Sequence, residues 1–406
     1  MGTTKLYWDD PFALTFETEG ASLGAWEGKP SIVLPATRFY PEAGGQLGDT
    51  GWLEIGSARF EIVDTQIADD GTIHHVLDRA PARPLEAPTP APVRGEVLKE
   101  RRADHRAHHT AQHMLSAALM EVARAETVSS RLGSTSSTID LDVPGIADRV
   151  LARAEDLVNG VIREDVTVRA FFPTPSELAS LKLRRAPKVT EGIRLIDIEG
   201  FDLSPCGGTH CTRTGQIGVV RIVGTEKYKG KVRISFHAAA RAVVDMRAKE
   251  ETLAALMADL TCGAQDLPTA LAKLRADLQK TRESLGKTRA ELATKRADEA
   301  LASHPPQPER PETRIVLVTE GSDVAVLRAL AGRLSERADV VAICFAREAD
   351  ATDALVVVQR GASATLDCGA WLKAQAATHG GRGGGRPERA EGRLPVAAIE
   401  EVTREG

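Results

Sequence analysis

Pro205-Cys206-Gly207-Gly208-Thr209-His210 places a soft sulfur donor and an imidazole four positions apart, across two glycines. Upstream, His109-Thr110-Ala111-Gln112-His113 places two imidazoles at i and i+4. On a helix that spacing sets both rings on one face. The two glycines let the chain turn so that Cys206 and His210 face one point. Together His109, His113, Cys206 and His210 form a Cys/His₃ set suited to one tetrahedral zinc ion. His105 lies on the same helical face, and His108 and Cys211 are adjacent to ligands; these three read as neighbours. No Glu stands between the helix histidines, which argues against a zinc protease. Four protein ligands would close a structural site, whereas a catalytic site needs an open or displaceable position, and the spacing leaves both open. An open site lowers the pKa of a bound water toward about 7 and makes a nucleophile for ester or amide hydrolysis.

The 406 residues allow two to four domains and an ample core. Aromatic residues make up 4%, too few for a sheet that stacks bases. Five cysteines without a secreted pattern read as free thiols in a reducing cytoplasm, and Cys262, Cys344 and Cys368 read as core. There is no apolar signal core at Met1–Asp10 and no run long enough to span a bilayer. Net charge is −5, which excludes a strongly basic nucleic-acid binder. Its distribution is uneven: residues 1–98 carry 7 Lys/Arg against 15 Asp/Glu, and residues 99–240 carry 21 against 17. The ligand set lies in the basic segment, so a polyanionic substrate is admissible there.

The whole chain reads as α+β and multidomain. Residues 1–92 read as a small β-barrel, with strand-like runs at Leu6–Trp8, 31–34, 51–55 and 59–63 and a glycine-rich loop at Ala43–Asp49. The prolines of Pro81–Pro92 read as a linker. Residues 93–240 read as an α+β domain. It holds a helix near 97–125, a loop then a strand over 128–141, an amphipathic helix at 147–163, and strands near 166–172, 193–198, 217–223 and 231–236. Residues 241–311 read as a helical arm interrupted near Cys262-Gly263 and Pro268. Leu271, Leu278, Leu285 and Leu292 recur every seven residues there, while Thr281, Thr288 and Lys295 fill the companion seam poorly. Residues 312–406 restart as α/β. Their Gly380–Pro387 stretch reads as a loop that cradles a phosphate, lets two backbones approach closely, or is simply a flexible surface loop.

His109-x-x-x-His113 followed by Cys206-Gly-Gly-Thr-His210 resembles the editing domain of alanyl-tRNA synthetase and of the alanyl-tRNA editing proteins of the AlaX kind. Phe39-Tyr-Pro-Glu-Ala-Gly-Gly-Gln46 with Asp49-Thr-Gly51 resembles their barrel motif, and Gly380–Pro387 resembles the DHH-associated domain. No aminoacylation domain precedes the barrel, so the resemblance is to the long free-standing form. It implies hydrolysis of the ester that joins Ser, and sometimes Gly, to tRNA(Ala). The zinc ligands carry over to His109, His113, Cys206 and His210. In that family a hydroxyl after the first helix tells Ser from Ala; Ser130 is the first choice here, with Thr127 and Ser129 beside it. Gly207, Gly208 and Thr209 are expected at the substrate, and Arg382 and Arg386 at tRNA or at a dimer contact. Arg131-Leu132 precede Gly133-Ser134 where the synthetases often have Gln, a departure at the pocket wall. For tRNA contact the basic groups Arg101, Arg102 and Arg106, then Lys182, Arg184 and Arg185, then Lys227, Lys229 and Lys231 are the candidates. A homodimer through the arm or the C-terminal domain is also expected. The alternatives are a non-catalytic zinc module that only holds tRNA, and editing of Ser-tRNA(Thr).

Overall fold

The computed structural model describes residues 2–80, 89–187, 189–307, 309–321, 323–348 and 350–404. It is a mixed α+β multidomain chain that divides into two compact units, Met1–Ala254 and Ala255–Gly406.

The first unit begins with a short parallel pair, β1 (Thr4–Lys5) with β4 (Ala36–Thr37). Six strands then close into a barrel: β2 (Thr15–Trp26), β3 (Lys29–Val33), β5 (Gly51–Ile55), β6 (Ala58–Ile67), β7 (Ile73–Leu77) and β8 (Thr89–Val97). Around the ring the order is β2-β3-β7-β6-β5-β8. Inward positions supply Phe16, Ile32, Leu53, Ile62 and Val93 to its core. Gly95 is required there, because a Cβ on it would lie 2.1 Å from the Phe16 ring.

Two readings of this region change. Leu6–Trp8 is a 3₁₀ turn, not a strand, because Tyr7 is buried and packs edge-on against Tyr40 at 5.3 Å. Of the expected linker, residues 81–88 lie outside the described residues, but Thr89–Val97 is a barrel strand that runs through residue 92. Pro92 is tolerated because this part of β8 pairs with β2 alone, while residues 93–96 pair on both sides.

Helix α1 (Lys99–Ala123) follows and packs on α2 (Asp148–Glu164). A four-stranded antiparallel sheet runs in the order β14 (Val220–Tyr228), β15 (Lys231–Ala238), β10 (Ser137–Leu141), β9 (Thr127–Leu132). Residues 127–141 are thus a hairpin where a loop and one strand were expected. A second sheet holds β11 (Val168–Phe171), β12 (Leu195–Ile198) and β13 (Asp202–Pro205), with α3 (Pro175–Ser180) between the first two. Met114, Leu115 and Leu119 of α1, Val158 and Ile162 of α2, and Ile139, Ile234 and Phe236 of the sheet form one core.

Helices α4 (Ala239–Leu260) and α5 (Leu267–Ser303) make the arm. The arm breaks at residues 261–266, near Cys262-Gly263 as expected, and Pro268 occupies the first turn of α5, where its missing N–H is no loss. Cys344 and Cys368 are core, as expected, whereas Cys262 is only half-buried. The C-terminal sheet runs β16 (Thr313–Glu320), β17 (Val340–Arg347), β18 (Asp353–Arg360), β20 (Arg389–Pro395), β19 (Arg382–Arg386), with α6 (Val324–Ser335), α7 (Cys368–His379) and α8 (Val396–Arg404). The expected glycine-rich loop is therefore strand β19 with its flanks. Its glycines serve close approach: a Cβ on Gly383 would meet Leu372 of α7 at 2.7 Å, and one on Gly385 would meet Arg389 O at 2.2 Å.

Candidate metal centre

Helix α1 presents His109 and His113 one turn apart, both buried. Strand β13 ends at Pro205, and the turn that follows carries Cys206 and His210 to the same point. One ligand atom from each of the four residues lies within 4.8 Å of every other. The Nε2 atoms of His109 and His210 are each 3.3 Å from Cys206 Sγ.

The outer nitrogen of each ring is held by a different neighbour. His109 Nδ1 lies 2.7 Å from Gln46 Oε1, an atom that can only accept. His113 Nδ1 lies 2.9 Å from Ser204 Oγ and 3.2 Å from Asp202 Oδ2. Ser204 donates to Asp202 at 2.8 Å, and Arg184 Nε donates to its other oxygen at 2.6 Å. His210 Nδ1 lies 3.3 Å from Thr110 Oγ1, whose own proton goes to Arg106 O at 2.8 Å. Each ring thus carries its proton on Nδ1 and turns a bare Nε2 inward, the tautomer a metal ligand needs. His113 Nε2 is buried and has no hydrogen-bond partner among the described residues.

Electrostatics agree. Burial works against the Cys206 thiolate, yet the His109, His210 and His113 imidazoles outweigh it and hold the thiol well below its usual pKa. Burial first, then His109, pushes His210 down to about 3, so its ring is neutral. Burial also opposes a charge on His113, but Cys206 and Asp202 outweigh it and raise its pKa. A thiolate and a buried carboxylate here call for positive charge, and the donor set fits a zinc ion.

The turn itself is braced. Arg194, 5% exposed, donates to Cys206 O at 3.0 Å and to Gly208 O at 2.9 Å. Trp8 Nε1 donates to Gly207 O at 2.9 Å. Gly208 has no room for a side chain, since a Cβ would lie 2.2 Å from His109 Cε1.

A cleft of about 820 Å³ opens beside the centre. His109 and Cys206 reach its wall, together with Gly207, Gly208, Thr127, Ser129 and Ser130; Trp8, Phe172 and Arg185 also border it. The hydroxyls are not equivalent. Thr127 donates to Ser116 at 2.8 Å, and Ser129 donates to Asp140 at 2.6 Å. Thr209 is 1% exposed, and its hydroxyl accepts from Gln46 at 3.0 Å, so it stands behind the cleft, not on it. Arg382 and Arg386 lie in the second unit, exposed on β19.

Several expected roles change. Arg102 is fully buried and paired with Asp49, and Arg106 stacks on Phe12 at 3.5 Å and donates to Pro11 O, so neither is a surface tRNA contact. Arg184 is committed to Asp202, and Lys231 pairs with Asp142. His105 and His108 are neighbours only; His108 Nε2 accepts from Ala238 N at 3.1 Å. The sequence reading gave no role to Gln46, Asp202, Ser204, Thr110, Arg194 or Trp8. Asp202 and Ser204 lie just before Cys206, and Thr110 follows His109, a proximity that pointed to them. Nothing local ties Gln46 to a histidine 63 positions away.

Three family models match parts of the chain. The Threonyl and Alanyl tRNA synthetase second additional domain covers residues 193–235, the DHHA1 domain covers 313–405, and tRNA synthetases class II (A) covers 16–85. The alanine–tRNA ligase of Sulfurisphaera tokodaii is 30% identical over 282 residues, which is 67% of this chain and 30% of the ligase. That of Saccharolobus islandicus strain L.S.2.15 is 28% identical over 256 residues, 60% of this chain and 27% of the ligase. The chain thus spans less than a third of the length of these relatives. Among solved structures, the C-Ala domain of Aquifex aeolicus alanyl-tRNA synthetase aligns at 18% identity and a TM-score of 0.21, over 25% of this chain and 96% of that domain.

Proposed function

From a chain related to the alanyl-tRNA synthetases, of the AlaX-like editing kind, we propose a hydrolase that removes Ser, and also Gly, from tRNA(Ala). The observation that carries this reading is a Cys/His₃ centre, with all three imidazoles in the ligand tautomer, set into the wall of a cleft. His109, His113, Cys206 and His210 would hold one zinc ion per chain, which supplies Lewis-acid chemistry beside the ester. The chain's own residues position the substrate. Trp8 and Phe172, edge to face at 5.5 Å, offer an apolar border for the terminal nucleoside. Arg185, exposed at the cleft, faces the polyanion.

The selectivity falls to Ser130. It borders the cleft, and its hydroxyl has no side-chain partner among the described residues, unlike those of Thr127 and Ser129. A Ser side chain gives that hydroxyl a partner; Ala leaves it unpaired, and a small apolar pocket elsewhere has little power to reject Ser. Arg382 and Arg386, opposite Arg393 and Arg389 on the β19–β20 hairpin, are assigned to the tRNA backbone.

The test is ester loss from Ser-, Gly- and Ala-charged tRNA(Ala), and from Ser-tRNA(Thr), with and without a chelator. We expect hydrolysis of the first two, sparing of Ala, and loss of activity on chelation. Ser130→Ala lowers the Ser-over-Ala preference about tenfold, and Arg382→Ala with Arg386→Ala raises KM without lowering kcat. Four protein donors also suit a closed structural site. Binding of tRNA without turnover would establish that second reading, and faster loss from Ser-tRNA(Thr) would reassign the substrate. Reduced thiols and charged tRNA as substrate both suit the cytoplasm. No helix among the described residues is long and apolar enough to cross a membrane.

The arm supports a parallel homodimer. Leu271, Leu278, Leu285 and Leu292 are 42–51% exposed, whereas Ala293, Ala297 and Ala300 of the same helix are buried with α6. Four residues after each leucine stands an arginine: 275, 282, 289 and 296. Six after stand Asp277, Ser284, Glu291 and Asp298. Two parallel copies set Asp277 against Arg282 and Glu291 against Arg296, whereas antiparallel copies set arginine against arginine. Arg289 and Asp298 already pair with Asp323 and Arg333, and Leu285 borders a groove with Ala325, Val326 and Ala329, so the free seam is that of Leu271 and Leu278. Sedimentation should give dimers that Leu278→Glu dissolves. A wild-type monomer at tens of micromolar would refute the pairing.

A further inference from the structure

We propose that Gln46, contributed by the barrel, is a positioning residue of the metal centre: it fixes the His109 ring so that Nε2 faces the ion. This rests on the reading of the four residues as a metal site. Gln46 is 0% exposed. Its Oε1 lies 2.7 Å from His109 Nδ1 and accepts from Thr209 N at 3.3 Å, while its Nε2 donates to Thr209 Oγ1 at 3.0 Å. Reversing the amide would set its NH₂ against the Thr209 N–H, donor against donor, so the carbonyl must face His109. The proton is thereby held on Nδ1, and the lone pair of Nε2 points toward Cys206 Sγ.

The loop that carries Gln46 is built to hold it still. Ala43 and Gln46 exchange backbone hydrogen bonds of 3.1 and 3.0 Å around Gly44 and Gly45, both at positive φ. Gly45 O accepts from Leu132 N at 2.7 Å, and a Cβ on Gly45 would lie 2.3 Å from Ser130 O. The same turn therefore sets both a candidate ligand and the strand that carries Ser130. The two other rings are held from within their own domain, His113 by Asp202 and Ser204, His210 by Thr110. His109 alone of the three depends on the barrel, which ties metal affinity to the docking of β2–β8 on α1.

The test measures metal affinity, not hydrolysis. Zn²⁺ and Co²⁺ affinities of the full chain are read by chelator competition, with the Co²⁺ absorption bands as a signature of the ligand field. Gln46→Leu, which removes the acceptor at similar volume, weakens binding about ten- to a hundredfold and changes the Co²⁺ spectrum. Gln46→Glu, which keeps an acceptor toward Nδ1, retains at least wild-type affinity. Thr209→Val, which spares the His109 contact, stays within a few-fold of wild type. Wild-type affinity in Gln46→Leu would overturn the proposal. If that variant does not fold, equal losses in Gln46→Glu and Thr209→Val would overturn it instead. Absence of metal binding by the wild-type chain would remove the metal reading itself, and deacylation failing while these affinities behave as stated would count against the proposed reaction only.

Discussion

Replacing Cys206 with alanine is expected to lower single-turnover hydrolysis of Ser-tRNA(Ala) on the order of a thousandfold, because Lewis-acid stabilisation supplies several kcal/mol of the barrier. Cys206 is the hub of the centre. Two imidazole nitrogens lie 3.3 Å from its sulfur, and Gly208 N donates to the same sulfur at 3.4 Å. It is the one thiolate among the four candidate ligands. Without it three imidazoles remain, and tight zinc binding by such a chain loses its anionic donor. Metal content should fall together with the rate, while binding of uncharged tRNA persists. A Cys206→Ala protein that deacylates at near wild-type rate would remove the metal from the reaction.

The second large effect is on stability. Arg102→Ala should cost about 3–5 kcal/mol, the usual penalty for a buried charge stripped of its partner. Arg102 and Asp49 are both 0% exposed. Arg102 Nε donates to Asp49 Oδ2 at 3.0 Å and Nη1 to Pro11 O at 3.2 Å, and Nη2 reaches Asp49 and Arg38 O. Asp49 in turn accepts from Tyr40 N at 2.7 Å, and its own N–H donates to Tyr40 O at 2.9 Å. Those bonds close the loop that contains Gln46, so the ion pair fastens the barrel to α1 beside the metal centre. Denaturant unfolding reads the loss. Combining Arg102→Met with Asp49→Leu should recover part of it, since an apolar pair leaves no orphan charge but still strips Tyr40 N and the carbonyls of Pro11 and Arg38 of their partners. A loss below about 1 kcal/mol for Arg102→Ala would mean that water reaches Asp49 and that the pair is not the fastening described.

How far the sequence reveals this molecule varies from element to element. The helices α1 and α2 were legible because their apolar residues recur at helical spacing and face one core. The four candidate ligands were legible because ligand chemistry restricts residue type and spacing together. Strand β2 was not, since a bulge at Gly20, with positive φ, shifts the register between Glu19 and Ala21 and breaks the alternation. Strand β8 was hidden by its prolines, and β19 by glycines that read as a loop until Leu372 is seen against Gly383. Arg102 looked like a surface cation because charge alone does not tell a solvated side chain from one with a buried partner 53 positions away. Gln46 ends the glycine-rich barrel motif, but its contact with His109 was hidden for the same reason. Its role lies in a contact between two distant stretches, and no local pattern encodes that.

X-ray absorption at the zinc edge of the purified, full-length chain tests the central claim most directly. One zinc per chain with one sulfur near 2.3 Å and nitrogen scatterers near 2.0–2.1 Å is the expected shell, and Cys206→Ala should lose the sulfur. A shell of oxygens and nitrogens without sulfur, or a protein that retains no zinc while it still hydrolyses Ser-tRNA(Ala), would contradict the account.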